Sequence, residues 1–151
     1  MKKLSRFLVV VALLGLAGCK GPSLGGEKVL KEYYTGGKVR SAFTLSDETK
    51  KNGTLRKYGY EGHLTSVVEI RNGVKHGLEK WYDKKGRIIR TVPYRNGRID
   101  GTMKEYYKNG DILASIPYQK GIRNGQAFTY NKDGSVHKKV TFRNNKIIRS
   151  A

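Results

Sequence analysis

Apolar and polar residues alternate along this chain in short runs. Within Arg87 to Tyr94, Ile88, Val92 and Tyr94 fall on one face, with Arg90 as the exception. The matching positions further on are Ile112, Ala114, Ile116 and Tyr118, then Val136, Lys138, Val140 and Phe142. Period-two alternation built from β-branched and aromatic residues predicts half-buried strands. Leu78 to Tyr82 predicts a shorter strand before the first of these runs. Asp83-Lys84-Lys85-Gly86 predicts the turn between them, with Gly86 at positive φ. Asn96-Gly97 then predicts the turn into the next unit.

The pattern has a longer period. Gly53, Gly77, Gly101 and Gly125 stand 24 residues apart, and Tyr58, Tyr82, Tyr106 and Tyr130 follow at the same interval. Gly62, Gly86, Gly110 and Gly134 form a third register. Val68, Val92, Ile116 and Val140 form a fourth, and Ile70, Tyr94, Tyr118 and Phe142 a fifth. A degenerate copy precedes these four. Tyr33, Gly37, Val39, Phe43 and Leu45 fit it once a single residue is inserted before Gly53. Its junction turn has lost the Asn-Gly and reads Ser46-Asp47-Glu48-Thr49, while the last copy decays to Asn144-Asn145. Atypical end repeats are expected in a stacked array.

Each tile therefore predicts one β-hairpin. About five tandem hairpins give about ten strands and a sheet of roughly 45–50 Å at about 4.8 Å per strand. The predicted fold is all-β: one elongated, twisted antiparallel sheet over residues 29–150. Its thin core is a single face of Val, Ile, Tyr and Phe. Pro93 and Pro117 share a column on the opposite face. Proline cannot donate to a ladder, so that column predicts a bulge or a missing partner.

Residues 1–18 change the picture of where this sheet works. A basic start, an apolar run from Phe7 to Leu16 and small residues after it follow the plan of a secretory signal peptide. Leu16-Ala17-Gly18-Cys19 resembles the lipobox of bacterial lipoproteins, in which the Cys is lipidated and becomes the mature N-terminus. Cys19 is the only Cys, so no intrachain disulfide is possible. Residues 19–28 then read as the lipidated Cys and a flexible tether. Lys20, in place of the Asp that retains such lipoproteins at the inner membrane, implies the periplasmic side of an outer membrane.

Formal net charge is +19, and without Lys2, Lys3 and Arg6 it is +16 for residues 19–151. So strong a field acts on anionic partners at a distance. An envelope location sets genomic nucleic acid aside and leaves acidic proteins and anionic surfaces.

The unit Asn72-Gly73…Gly77…Tyr82…Gly86, repeated as Asn96-Gly97…Gly101…Tyr106…Gly110, resembles the variant MORN repeat. The resemblance runs over roughly residues 29 to 147, with a departure at Lys120-Gly121. Bacterial proteins of this build are grouped with the YwqK-type antitoxin family, which implies neutralisation of a toxin by binding.

Catalytic chemistry needs converging acids, bases or nucleophiles. His63, His76 and His137 lie in different tiles and different columns, and the 12 acids are scattered. No metal, cofactor or catalytic residue is expected, and the chain reads as non-catalytic. The binding candidates are columns that repetition turns into stripes. Arg71 and Arg95 share one, and Lys80 and Lys104 share another with Arg56. Tyr82 and Tyr106 belong to the aromatic ladder. Trp81 and Tyr107 flank it outside the strict repeat, where the scaffold does not demand them. Tyr, Trp and Arg dominate interface energies.

The leading expectation is an outer-membrane lipoprotein that binds and occludes an acidic toxin or effector as an antitoxin or immunity protein. The alternative is an envelope protein whose basic face lies on anionic lipid, lipopolysaccharide or cell-wall polymer. Homo-association through the open sheet edges is a further possibility.

Overall fold

The computed structural model describes residues 28–150. Cys19, the lipobox residues Leu16, Ala17 and Gly18, and the tether before Lys28 lie outside the described residues. From Val29 to Ser150 the chain forms one open antiparallel sheet. The strands are β1 (Val29–Tyr33), β2 (Val39–Leu45), β3 (Gly53–Tyr58), β4 (Leu64–Arg71), β5 (Val74–Tyr82), β6 (Ile88–Arg95), β7 (Arg98–Ile99), β8 (Gly101–Tyr106), β9 (Ile112–Gln119), β10 (Ile122–Arg123), β11 (Gly125–Tyr130), β12 (Val136–Arg143) and β13 (Lys146–Ser150). Spatial order follows chain order, with β7 attached to β6 and β10 to β9. The sheet is thus the predicted chain of hairpins, closed by the edge strand β13.

Thirteen strands replace the expected ten because two tiles break their first strand and β13 adds an edge. Asp100 and Asn124 leave the ladder and donate their N–H groups to the Pro93 and Pro117 carbonyls, at 3.0 and 3.2 Å. The proline rings sit where the glycine column passes. A Cβ at Gly101 would come within 3.1 Å of the Pro93 ring, and one at Gly125 within 3.1 Å of the Pro117 ring. The proline column does carry the irregularity its chemistry required, and glycine is what lets the next strand cross it.

The junction turns hold the tiles together. Asn72-Gly73, Asn96-Gly97, Lys120-Gly121 and Asn144-Asn145 each place two residues at positive φ, as a two-residue hairpin turn of the right twist demands. The N–H groups of Gly73, Gly97, Gly121 and Asn145 donate to the carbonyls of Lys51, Lys75, Ile99 and Arg123 in the preceding junctions, at 2.7 to 3.0 Å. Gly86 has the expected positive φ, 78°. Lys120 holds φ 50° without the side chain that tolerates it. Lys120→Asn is expected to stabilise the fold by about 0.5–1 kcal/mol, read as a higher urea midpoint with an unchanged slope.

The core departs from a single face of large apolar residues. The best-buried positions are mostly small: Ala42, Ala114, Ala127, Ser41, Ser66 and Thr91, with Val68, Val92, Phe142 and Glu79. A one-layer sheet has no second layer to cover a long side chain. Most residues closed off from water are short enough to sink between longer neighbours of their own face; the long exceptions, Glu79 and Phe142, lie against Lys75 and Arg123. Ala42 and Thr91 lie on the face opposite Val68 and Val92, so both faces contribute. The simple alternation also slips at the hairpin turns. Trp81 pairs with Arg90 but Tyr82 pairs with Ile88, leaving Ile89 extra in a bulge.

Candidate functional site

Cross-strand partners share a face, and neighbours along a strand alternate. These two rules sort the candidate residues. The front face carries Leu55, Val68, Glu79, Val92, Met103 and Ile116, paired across β3 to β9. The back face carries an unbroken row through ten strands, from Lys31 on β1 to Lys139 on β12. Its pairs are Lys31 with Ala42, Ala42 with Arg56, Arg56 with Val67, Val67 with Lys80 and Lys80 with Thr91. It continues from Thr91 to Lys104, Lys104 to Ser115, Ser115 to Phe128 and Phe128 to Lys139. Lys31, Arg56, Lys80 and Lys104 recur on every second strand, about 10 Å apart. Among the residues between the cations, Ala42 and Thr91 are short and buried.

Charge is distributed unevenly between the faces. On the front, Glu105 meets Arg90 at 2.7 Å, Glu79 meets Lys75 at 2.7 Å, and Glu32 accepts from Ser41 at 2.9 Å. On the back, Glu69 is held by Arg71 at 2.8 Å. None of Lys31, Arg56, Lys80, Lys104 and Lys139 forms an ion pair among the described residues. Turn carboxylates are also committed. Hydrogen bonding from Arg87 holds the Asp83 carboxyl below its ordinary value, and Lys84 does the same to Glu61 across two tiles. Thr49 lowers Asp47, and Ser135 lowers Asp133. The back row therefore faces solvent as bare positive charge.

The sequence candidates divide between these surfaces. Lys80, Lys104, Tyr82 and Tyr106 lie together on the back face. The Tyr106 hydroxyl lies 3.2 Å from Thr91 Oγ1, and Tyr130 repeats the contact with Ser115 at 3.3 Å. Arg71 and Arg95 mark the junction-turn end of the same face, Arg95 lying 3.7 Å from Asp100. Trp81 is half-buried on the front, between Ser66 and Arg90. Tyr107 has an internal role: its hydroxyl donates to the Tyr130 carbonyl at 2.7 Å, as Tyr34 does to Tyr58 at 2.9 Å. These two tyrosines tie one tile's turn to the next. Lys31 and Lys139 were not singled out in the sequence. Their membership of the row follows from strand register, which a column count within one tile does not supply.

No group of three or more His, Cys, Asp or Glu that could hold a metal occurs among the described residues. The surface is an extended repeat-built binding scaffold rather than a pocket that gathers reactive groups. The family described as MORN repeat variant matches residues 75–96 and 99–120, so these two tiles are similar to repeats of that kind. No curated protein matches the chain. Among solved structures, a mutant of S. aureus TarM in complex with Fondaparinux, alpha-GlcNAc-glycerol and UDP is similar at 13% identity and a TM-score of 0.45. The match covers 68% of this chain and 20% of that one, a fifth of its length.

Proposed function

We propose that this chain is a non-catalytic binding module that docks an acidic protein on its back face, in the manner of an immunity protein that occludes a toxin or effector. In this reading Cys19 anchors it to the outer membrane, with the sheet in the periplasm. The observation that carries the proposal is the row Lys31, Arg56, Lys80, Lys104 and Lys139, bare of carboxylates on a sheet whose few carboxylates are largely committed elsewhere. Such a row speeds encounter with an acidic surface and disfavours basic partners. Tyr82 and Tyr106 beside it supply rigid contact area.

The regular spacing of about 10 Å also suits a linear anionic polymer, and that is the second reading. A pull-down from envelope and secreted fractions, washed at moderately high salt, separates the two. One stoichiometric acidic protein is expected on the wild type, and its loss is expected on Lys80→Gln/Lys104→Gln. Recovery of polymer or lipid alone would sink the protein-binding reading.

A further inference from the structure

One end of the back face differs from the rest. A shallow groove of about 720 Å³ lies over β3, β4 and β5, lined among others by Val67, Leu78, Tyr82, Lys80, Glu69 and Asp47. Three departures from the repeat meet there. Leu78 stands in a column occupied by Thr54, Thr102 and Gln126. Glu69 stands where later tiles have Pro93 and Pro117. The long loop Ser46 to Lys51 replaces a two-residue junction. The proline rings close on Gly101 and Gly125, at 3.1 Å from a Cβ built there, whereas over Gly77 stands only the Glu69 carboxylate held by Arg71, at 3.5 Å. Leu78 is 48% exposed beside it, although its own column shows that Thr serves the scaffold.

Charge gives the groove a direction. Asp47 is occupied by Thr49 and Asn52, and Glu69 by Arg71, so the groove itself offers an incoming carboxylate no free cation on that side. On the other side Lys80 carries the bare row on to Lys104, with Arg56 before it across Val67. We infer that this groove is the specificity site of the back face: it takes one apolar side chain of an acidic partner protein, and the partner's carboxylates run from it along Lys80 and Lys104. The inference rests on the proposed function and adds the chemistry of the partner segment. An apolar anchor rimmed by charge contributes affinity, while the lysines set encounter and orientation.

The test uses two fluorescent probes against the full chain in mild detergent: pentaglutamate carrying a terminal Leu, at either end in turn, and the same peptides with Ser. Wild type is expected to bind the better Leu probe about tenfold tighter than its Ser analogue. Leu78→Thr, which restores the repeat's own residue, is expected to erase that difference and leave Ser-probe binding unchanged. Lys80→Gln/Lys104→Gln is expected to weaken both probes together. Equal binding of Leu and Ser probes by wild type, as for a polymer read by charge alone, overturns the inference. So does a preference that survives Leu78→Thr. If the double lysine variant weakens both probes in that case, the proposed function stands without the groove. If it weakens neither, the proposed function fails as well.

Discussion

Gly53→Ala is expected to be the most damaging single methyl that can be added to this sheet. The new Cβ would lie 2.1 Å from the Thr44 carbonyl oxygen and 2.9 Å from the Phe43 ring. Backbone cannot yield as a flexible side chain does. The position also holds φ +154°, which L side chains rarely adopt. Strain and overpacking together are expected to cost about 3–5 kcal/mol. The contact is with β2, so the loss should fall on the pairing of β2 with β3 and release the first hairpin. In an array where each tile touches only its neighbours, that appears as a separate early transition. Gly86→Ala is the control. Nothing lies within 4 Å of its Cβ, and only the positive φ of 78° opposes it, so a cost of about 1–2 kcal/mol is expected. Urea unfolding followed by tyrosine and tryptophan fluorescence reads both.

Lys75→Ala is expected to destabilise by about 3 kcal/mol, because it strands the Glu79 carboxylate. Glu79 is 1% exposed, and Lys75 Nζ reaches both of its oxygens, at 2.8 and 2.7 Å. The ammonium also lies 4.7 Å from the Tyr94 ring centre, and with Lys75 28% exposed it stays in contact with water. The front-face Arg90 of the same tile is already committed to Glu105 at 2.7 Å. The tiles themselves suggest the repair. Leu55 and Met103 occupy the Glu79 column, and Ile99 occupies the Lys75 column. Lys75→Ile/Glu79→Met is therefore expected to recover wild-type stability or exceed it, since apolar replacement of a buried ion pair is often neutral or favourable. A double variant as unstable as Lys75→Ala would mean that the pair supplies something beyond mutual neutralisation. Chemical denaturation of the two single variants and the double closes the cycle.

The hairpin array was legible because its determinants are local. Asn-Gly dipeptides, a glycine at each hairpin turn and period-two alternation act within a few residues, and the 24-residue spacing multiplies each signal. Pro93 and Pro117 announced their irregularity because proline's missing N–H is also local. What stayed hidden depends on register. The bulge between Trp81 and Tyr82 re-phases the alternation at every hairpin. Burial of Glu79 rests on Lys75, four residues back on β5 and outside the Leu78 to Tyr82 run, with the Tyr94 hydroxyl 3.5 Å from that ammonium. The site followed the same division. The columns of Lys80 with Lys104 and of Tyr82 with Tyr106 were visible by counting. Their union with Lys31 and Lys139 in one row needed the pairing of Thr91 with Lys104 across a tile boundary. Tyr107 looked free because the repeat did not demand it, yet its hydroxyl reaches a carbonyl 23 residues away. Leu78 carried a readable signal of its own, an apolar residue in a column of Thr and Gln.

The central claim is that binding belongs to one face and not to net charge. The direct measurement is anisotropy of a labelled polyglutamate against two variants of equal charge, Lys80→Gln/Lys104→Gln on the back and Lys57→Gln/Lys138→Gln on the front. Two exposed charge contacts at about 0.7 kcal/mol each predict an affinity loss of about tenfold for the back pair. The front pair, acting only through a screened field, is expected to lose less than about threefold. Equal losses from the two faces would contradict the account.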